Sequence, residues 1–220
     1  MYSLSMEQCE NVMKIIRPTL LHCMKLQATF PKIIMEADDE YMGLNVTHIY
    51  DIMGMEKLKF LIMHVRRNDI TGRLLMISMK YTQLEVGSKR LFFNLNYSKW
   101  GYLATWTWLT HLWQYMDAGG MEMTLNEQVT QEHQRHNVKF IMDVIVQCCE
   151  CTEIEVSMIN IVRQYYKVLL LSDITKMDGK TIQDNYRKSE GTPAVTRLFF
   201  RKQKPTKRMF RVWEKKAVPI

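Results

Sequence analysis

No uncharged apolar run in this sequence approaches the ~18–20 residues that a membrane span needs, so no segment reads as a transmembrane helix. Residues 1–10 lack the basic-then-apolar order of a secretory signal. There is no Gly-x-Gly-x-x-Gly, Walker loop, Gly-x-Ser-x-Gly or His-Glu-x-x-His, which removes the familiar dinucleotide, phosphate-loop, esterase and zinc-protease signatures. Internal repeats and low-complexity tracts are absent too. The five cysteines (Cys9, Cys23, Cys148, Cys149, Cys151) are an odd number and three crowd together, which argues for reduced thiols over a disulfide framework. These absences give the expectation of an intracellular protein of nucleus or cytoplasm, with no membrane partner and no cofactor.

What is present suits a globular chain. Its 220 residues are 47% apolar and 24% charged, enough for one large core or two modest ones, and the 18 methionines read as soft filler of an irregular core. Four of the five tryptophans fall within residues 99–116. There Tyr102, Trp106, Leu109, Leu112, Trp113 and Met116 recur at three- and four-residue steps, predicting one buried helical stripe, and Gly119-Gly120 supplies a left-handed stop. On this pattern, truncation of Trp106 or Trp113 would unfold the domain, whereas Trp108 and Tyr115 lie off the stripe, against a second layer or exposed to a partner.

Along the chain, Ser5 with Gln8 forms a capping-box pattern that starts a helix at Met6 with Cys9, Val12, Met13 and Ile16 inward, interrupted at Pro18. Residues 31–45 read as a loop. A largely buried helix follows over 52–65, and another over 73–86 turns Leu74, Ile77, Tyr81 and Leu84 inward and closes at Gly87. Residues 121–137 are a polar connector. Helices over 138–149 and 153–171, the second opened by Thr152 and Glu155, form a corner, and Asp178-Gly179 within 174–182 carries the signature of a tight β-hairpin. The fold class that follows is mainly α: an irregular helical bundle with a small C-terminal β-hairpin and a basic tail. The expected divisions are a helical body (1–120), a helical corner plus β-hairpin (121–186) and a basic aromatic C-terminal arm (187–220).

Two acidic or metal-binding patterns invite chemistry and fall short of it. Asp38-Asp39 evokes the paired aspartates of polymerases, yet the pair is flanked by Glu36 and Glu40 on a loop and no third carboxylate stands in a comparable strand. His133 and His136 with Cys148, Cys149 and Cys151 offer zinc ligands at poor spacing, because Cys148 and Cys149 leave different sides of one helix end. No catalytic residue and no metal site is therefore assigned.

The charge is polarised. Of the net +7, the last 34 residues carry +9 and the preceding 186 carry −2. Clustered Lys and Arg attract polyanions whatever their sequence, and aromatics interleaved among them can stack bases. The candidate nucleic-acid contacts are Arg66, Arg67 and Arg73 on the body and Arg197, Arg201, Lys202, Lys204, Lys207, Arg208 and Arg211 on the arm, with Phe199, Phe210 and Trp213 as stacking rings. The competing arrangement, ranked below nucleic-acid contact, is a solvated tail whose aromatics fold back on the core.

The order Phe30-Pro31, Gly43-Leu44, Leu58, His64, Thr71-Gly72-Arg73-Leu74-Leu75, Gln83-Leu84-Glu85-Val86-Gly87, Trp108-Leu109-Thr110-His111-Leu112-Trp113, Gln134-Arg135, Phe140-Ile141-Met142-Asp143, Leu171-Ser172-Asp173-Ile174 and Asp178-Gly179 spans nearly the whole chain. It resembles the region downstream of the polymerase palm in retrotransposon-type reverse transcriptase polyproteins. The resemblance implies a thumb-like, non-catalytic fragment of an RNA-directed DNA polymerase that grips RNA or a primer-template duplex, with an upstream palm as a further partner. The chain departs from that pattern at the acidic residues Glu36 to Glu40 and at His136-Asn137. The alternatives are a protein-interaction scaffold using Trp108 and Tyr115, or an inactive folded remnant of such an element.

Overall fold

Ser5 opens the first helix as its sequence dictates: its hydroxyl accepts the Gln8 N–H at 3.2 Å while the Gln8 side chain accepts the Ser5 N–H at 2.8 Å. The computed structural model describes residues 4–125, 139–148, 150–177, 181–187 and 204–217, and it is mainly helical. The chain divides into two units, Met1–Gly72 and Arg73–Ile220.

In the first unit, α1 (Met6–Cys23), α2 (Lys32–Glu36) and α3 (Ile49–Arg67) enclose Cys9, Met13, Leu21, Met35 and Leu61. Pro18 does not interrupt α1. It forfeits one backbone bond inside a helix that continues to Cys23 and closes with Lys25 in the left-handed region, Leu26 N–H bonding Leu21 O. Residues 31–45 are not a plain loop either, since α2 and a 3₁₀ turn at Asp39–Tyr41 occupy them. Residues 44–46 then run back along α2, so closely that a Cβ on Gly43 would fall 1.9 Å from Ala37 O. The expected 52–65 helix exists as α3, but Ile52, Met55, Ile62 and Met63 on it are exposed rather than buried.

The second unit takes α4 (Ile70–Val86) from Arg73 onward, then α5 (Tyr97–Trp100), α6 (Trp108–Ala118), α7 (Ile141–Cys148), α8 (Glu153–Tyr166), α9 (Leu171–Ile174) and α10 (Lys207–Val212), which runs into a π-helical turn at Trp213–Ala217. On α4 the buried face is Leu75, Met79, Thr82, Gln83 and Val86, while Leu74 and Ile77, expected inside, are each 59% exposed. Tertiary contact chose the other stripe, because Gln83 is clamped by the turn that follows. Its amide donates to Ser88 O and Arg90 O, both at 2.7 Å, and its carbonyl accepts the Phe92 N–H at 2.8 Å.

Residues 99–116 are not one helix. Glu85 binds the Thr105 amide and hydroxyl at 2.9 and 2.7 Å, and the Thr107 N–H is taken by the Thr110 hydroxyl at 2.8 Å, so the chain leaves helical geometry before α6 begins. Trp106 consequently stands 61% exposed, and its assignment to the buried stripe is corrected. Leu109, Leu112, Trp113 and Met116 keep the predicted inward face. Trp113 donates Nε1–H to Leu95 O at 2.7 Å and meets Phe92 and Tyr97 edge to face. The glycine stop is a Schellman close, with Gly120 at φ 62 and Met121 N–H on Met116 O.

Helix α8 supplies the polar centre of this unit. Arg163 is fully buried and donates to Leu84 O (2.7 Å), Glu85 O (3.0 Å) and Asn160 Oδ1 (2.7 Å), while Asn160 donates to Glu85 O at 2.9 Å. These bonds bind residues 84 and 85 to residues 160 and 163 within the unit Arg73–Ile220. The expected C-terminal β-hairpin is not supported. Among the described residues there is no strand: Thr175 and Ile182 form one isolated bridge and Phe140 and Leu170 another, while Asp178 and Gly179 lie outside the described residues.

Trp113→Ala should lower unfolding free energy by about 3–5 kcal/mol, read from a denaturant midpoint, whereas Trp106→Ala should leave it nearly unchanged. In the first unit Lys57 is 6% exposed with no hydrogen bond or ion pair among the described residues, and burial pulls its pKa below the ordinary value. Because folding lowers that pKa, the wild-type protein gains stability as pH rises toward 10.5. Lys57→Met should raise the melting temperature at pH 7 and weaken that alkaline gain.

Candidate nucleic-acid interface

The arm is built from a two-sided helix. Thr206 caps α10 by accepting the Met209 N–H at 3.4 Å, and the next turns place Phe210, Trp213 and Ala217 on the inner side. Phe210 and Trp213 pack against Tyr166 of α8 with ring centroids 5.8 and 5.9 Å away, and Trp213 Nε1–H donates to Tyr186 O at 2.8 Å. Tyr166, with no exposure, has its phenol pushed up to about 12, chiefly by burial. These two rings, expected as base-stacking groups, are core residues instead, because the α8 surface offers them an apolar seat that water does not.

The outer side of the same helix is cationic. Lys204, Lys207, Arg208, Arg211 and Lys215 are exposed, and no carboxylate among the described residues pairs with Lys204, Lys207, Arg208 or Arg211. Lys216 turns back, its Nζ donating to Glu150 O at 3.3 Å. Arg197, Phe199, Arg201 and Lys202 lie outside the described residues.

Of the remaining expected contacts, Arg66 and Arg67 are exposed at the end of α3 in the first unit, and Arg73 is exposed on α4 as the first residue of the second. The turn beside Arg66 and Arg67 is firmly set. Asp69 accepts the Gly72 N–H at 2.7 Å and His64 Nδ1–H at 2.7 Å, and both bonds hold its carboxyl below the usual carboxylate range. Gly72 is needed there, since a Cβ would fall 2.1 Å from His64 O.

The second unit's charged centre was not picked out from sequence. Arg163 occupies the α8 stripe with Val156, Ile159, Asn160 and Tyr166, and a cation at an apolar-stripe position is the signal that marks it. In the first unit, Glu10 gathers Arg17 (2.7 Å), His48 (3.0 Å) and Lys32 (3.4 Å), and Arg17 also reaches Glu36 at 2.8 Å. Glu36, placed on a loop by the sequence, is instead the last residue of α2 and an ion-pair partner, whereas Asp38, Asp39 and Glu40 are exposed. His48 Nδ1 accepts the Tyr50 N–H at 3.1 Å as the cap of α3, so its Nε2–H is the donor to Glu10.

Trp108 and Tyr115, the residues proposed to meet a protein partner, are half-buried and engaged within the chain. No group of three or more His, Cys, Asp or Glu able to hold a metal occurs among the described residues, and His133, His136 and Cys149 lie outside them. No helix among the described residues is long and apolar enough to cross a membrane. Comparison with protein-family models, curated proteins and solved structures finds no match for this chain.

Proposed function

We propose that this chain is a non-catalytic, nucleic-acid-binding part of a retrotransposon reverse transcriptase-like protein, holding RNA or a primer-template duplex through its phosphates. The observation that carries this reading is the outer face of α10. Lys207, Arg208 and Arg211 there have no carboxylate partner among the described residues, on a helix whose inner face is fixed by Phe210 and Trp213. A cation held on an ordered helix meets a phosphate without first giving up the freedom of a loose tail. The motif order across the chain supports the family, and in that setting the polymerase chemistry would belong to an upstream palm.

Each Lys or Arg that neutralises a duplex phosphate contributes about 0.9 to the slope of log affinity against log salt. Replacing Lys207, Arg208 and Arg211 together with Ala should therefore weaken duplex binding and flatten that slope by about 2–3, with the melting temperature unchanged because all three side chains are exposed. Fluorescence anisotropy across a salt series measures both quantities. Equal affinity and slope in the triple variant would remove the arm from the interface.

A further inference from the structure

Trp106 is the tryptophan this fold leaves in water: Trp100, Trp113 and Trp213 are buried, Trp108 is half-buried, and Trp106 is 61% exposed. A single exposed apolar side chain is ordinary on a protein surface. Its mounting sets Trp106 apart. On one side, Thr105 gives both its amide and its hydroxyl to the carboxylate of Glu85, itself a buried residue. On the other, the Thr107 amide is held by the Thr110 hydroxyl, which in turn donates to Thr107 O at 2.7 Å. The indole is braced edge-on by the buried ring of His111, with centroids 4.1 Å apart and planes at 61°. Backbone and ring orientation are thus set in advance, while most of the indole faces solvent.

A rigid, exposed aromatic surface suits a flat π-system, since stacking needs a defined plane and little else. Resting on the nucleic-acid reading above, we propose that Trp106 is a binding residue on which an unpaired nucleobase of the bound strand stacks. The contact is sequence-tolerant, because every base has a π-face. It favours single-stranded segments, because paired bases within a duplex keep their faces covered by their neighbours. The arm cations then supply phosphate affinity to single and double strands alike, and Trp106 discriminates between them. The tryptophan that sequence periodicity sends to the core is in this way the one presented to a ligand.

The test uses the full chain with fluorescein-labelled twelve-nucleotide oligo(U) and a duplex of equal length at low salt. Anisotropy reports binding, and intrinsic tryptophan emission reports stacking. The wild-type protein should bind both, with emission quenched by oligo(U). Trp106→Leu should abolish that quenching, weaken oligo(U) binding about tenfold and leave duplex binding unchanged, while Trp106→Phe, which keeps a ring, should restore most of the oligo(U) affinity. An unchanged melting temperature for both variants shows that folding is intact. Duplex binding with no effect of Trp106→Leu on oligo(U) affinity or quenching overturns the stacking role and leaves the phosphate-binding reading standing. Failure of the wild-type protein to bind either nucleic acid overturns both, and directs Trp106 toward a protein contact.

Discussion

A buried guanidinium at the C-terminal end of α4 holds the second unit together. The last carbonyls of any helix have no partner within it and carry the negative end of its dipole. Here Leu84 O and Glu85 O, in the last turn of α4, receive Arg163 from α8, and Glu85 O receives Asn160 and Gln164 as well. Desolvation opposes the charge and pulls its pKa down, but carbonyl oxygens surround it where water cannot. The arrangement works only if the chain leaving α4 stays out of the way. Gly87 meets that need twice over: its φ of 74 suits glycine, and a Cβ there would fall 2.7 Å from the Arg163 guanidinium carbon.

The first unit solves the problem of buried charge differently. Its ionic group is a chain of alternating signs, Glu36 to Arg17 to Glu10, with Lys32 as a second cation on Glu10 and the His48 Nε2–H as a further hydrogen-bond donor to it. Arg17 spans α1 and α2, and His48 at the head of α3 joins the same carboxylate, so three helices share one cluster. These partners hold the Glu10 carboxyl well below the usual carboxylate range. Its contribution to stability is present above the ordinary value of 4.5 and disappears as acid protonates the carboxylate. Lys57, on the inner side of α3, has no such compensation, and only its long apolar stem makes the site tolerable.

The C-terminal helix links architecture to the proposed activity. Aromatic and basic residues that read in sequence as a single mixed arm are sorted by the helix into two faces: rings toward α8 and cations toward solvent. The aromatic face fixes where the helix sits. The cations gain from this, since their field is presented from an ordered surface. Trp106 shows the same economy on a loop, where Glu85 tethers the preceding Thr105 and the chain continues into α6.

The sequence by itself determined the helical class, the capping boxes of α1 and α8, the inward face of α6 from Leu109 to Met116 and the concentration of positive charge in the last residues, because each depends on residues a few positions apart. Local rules also marked Gly87 and Gly120 as stops. Tertiary structure alone decided which stripe of α4 turns inward, that Trp106 leaves the helix, that Arg163 is a core residue, and that Phe210 and Trp213 pack while their cationic neighbours do not. The last three depend on partners some twenty to eighty residues distant, such as Glu85 for Thr105 and Leu84 for Arg163, and the α4 stripe depends on the clamp of Gln83 by the turn that follows; no periodicity encodes either. Where two faces of a helix are comparably apolar, as on α4, it is the partner's polar groups that break the tie.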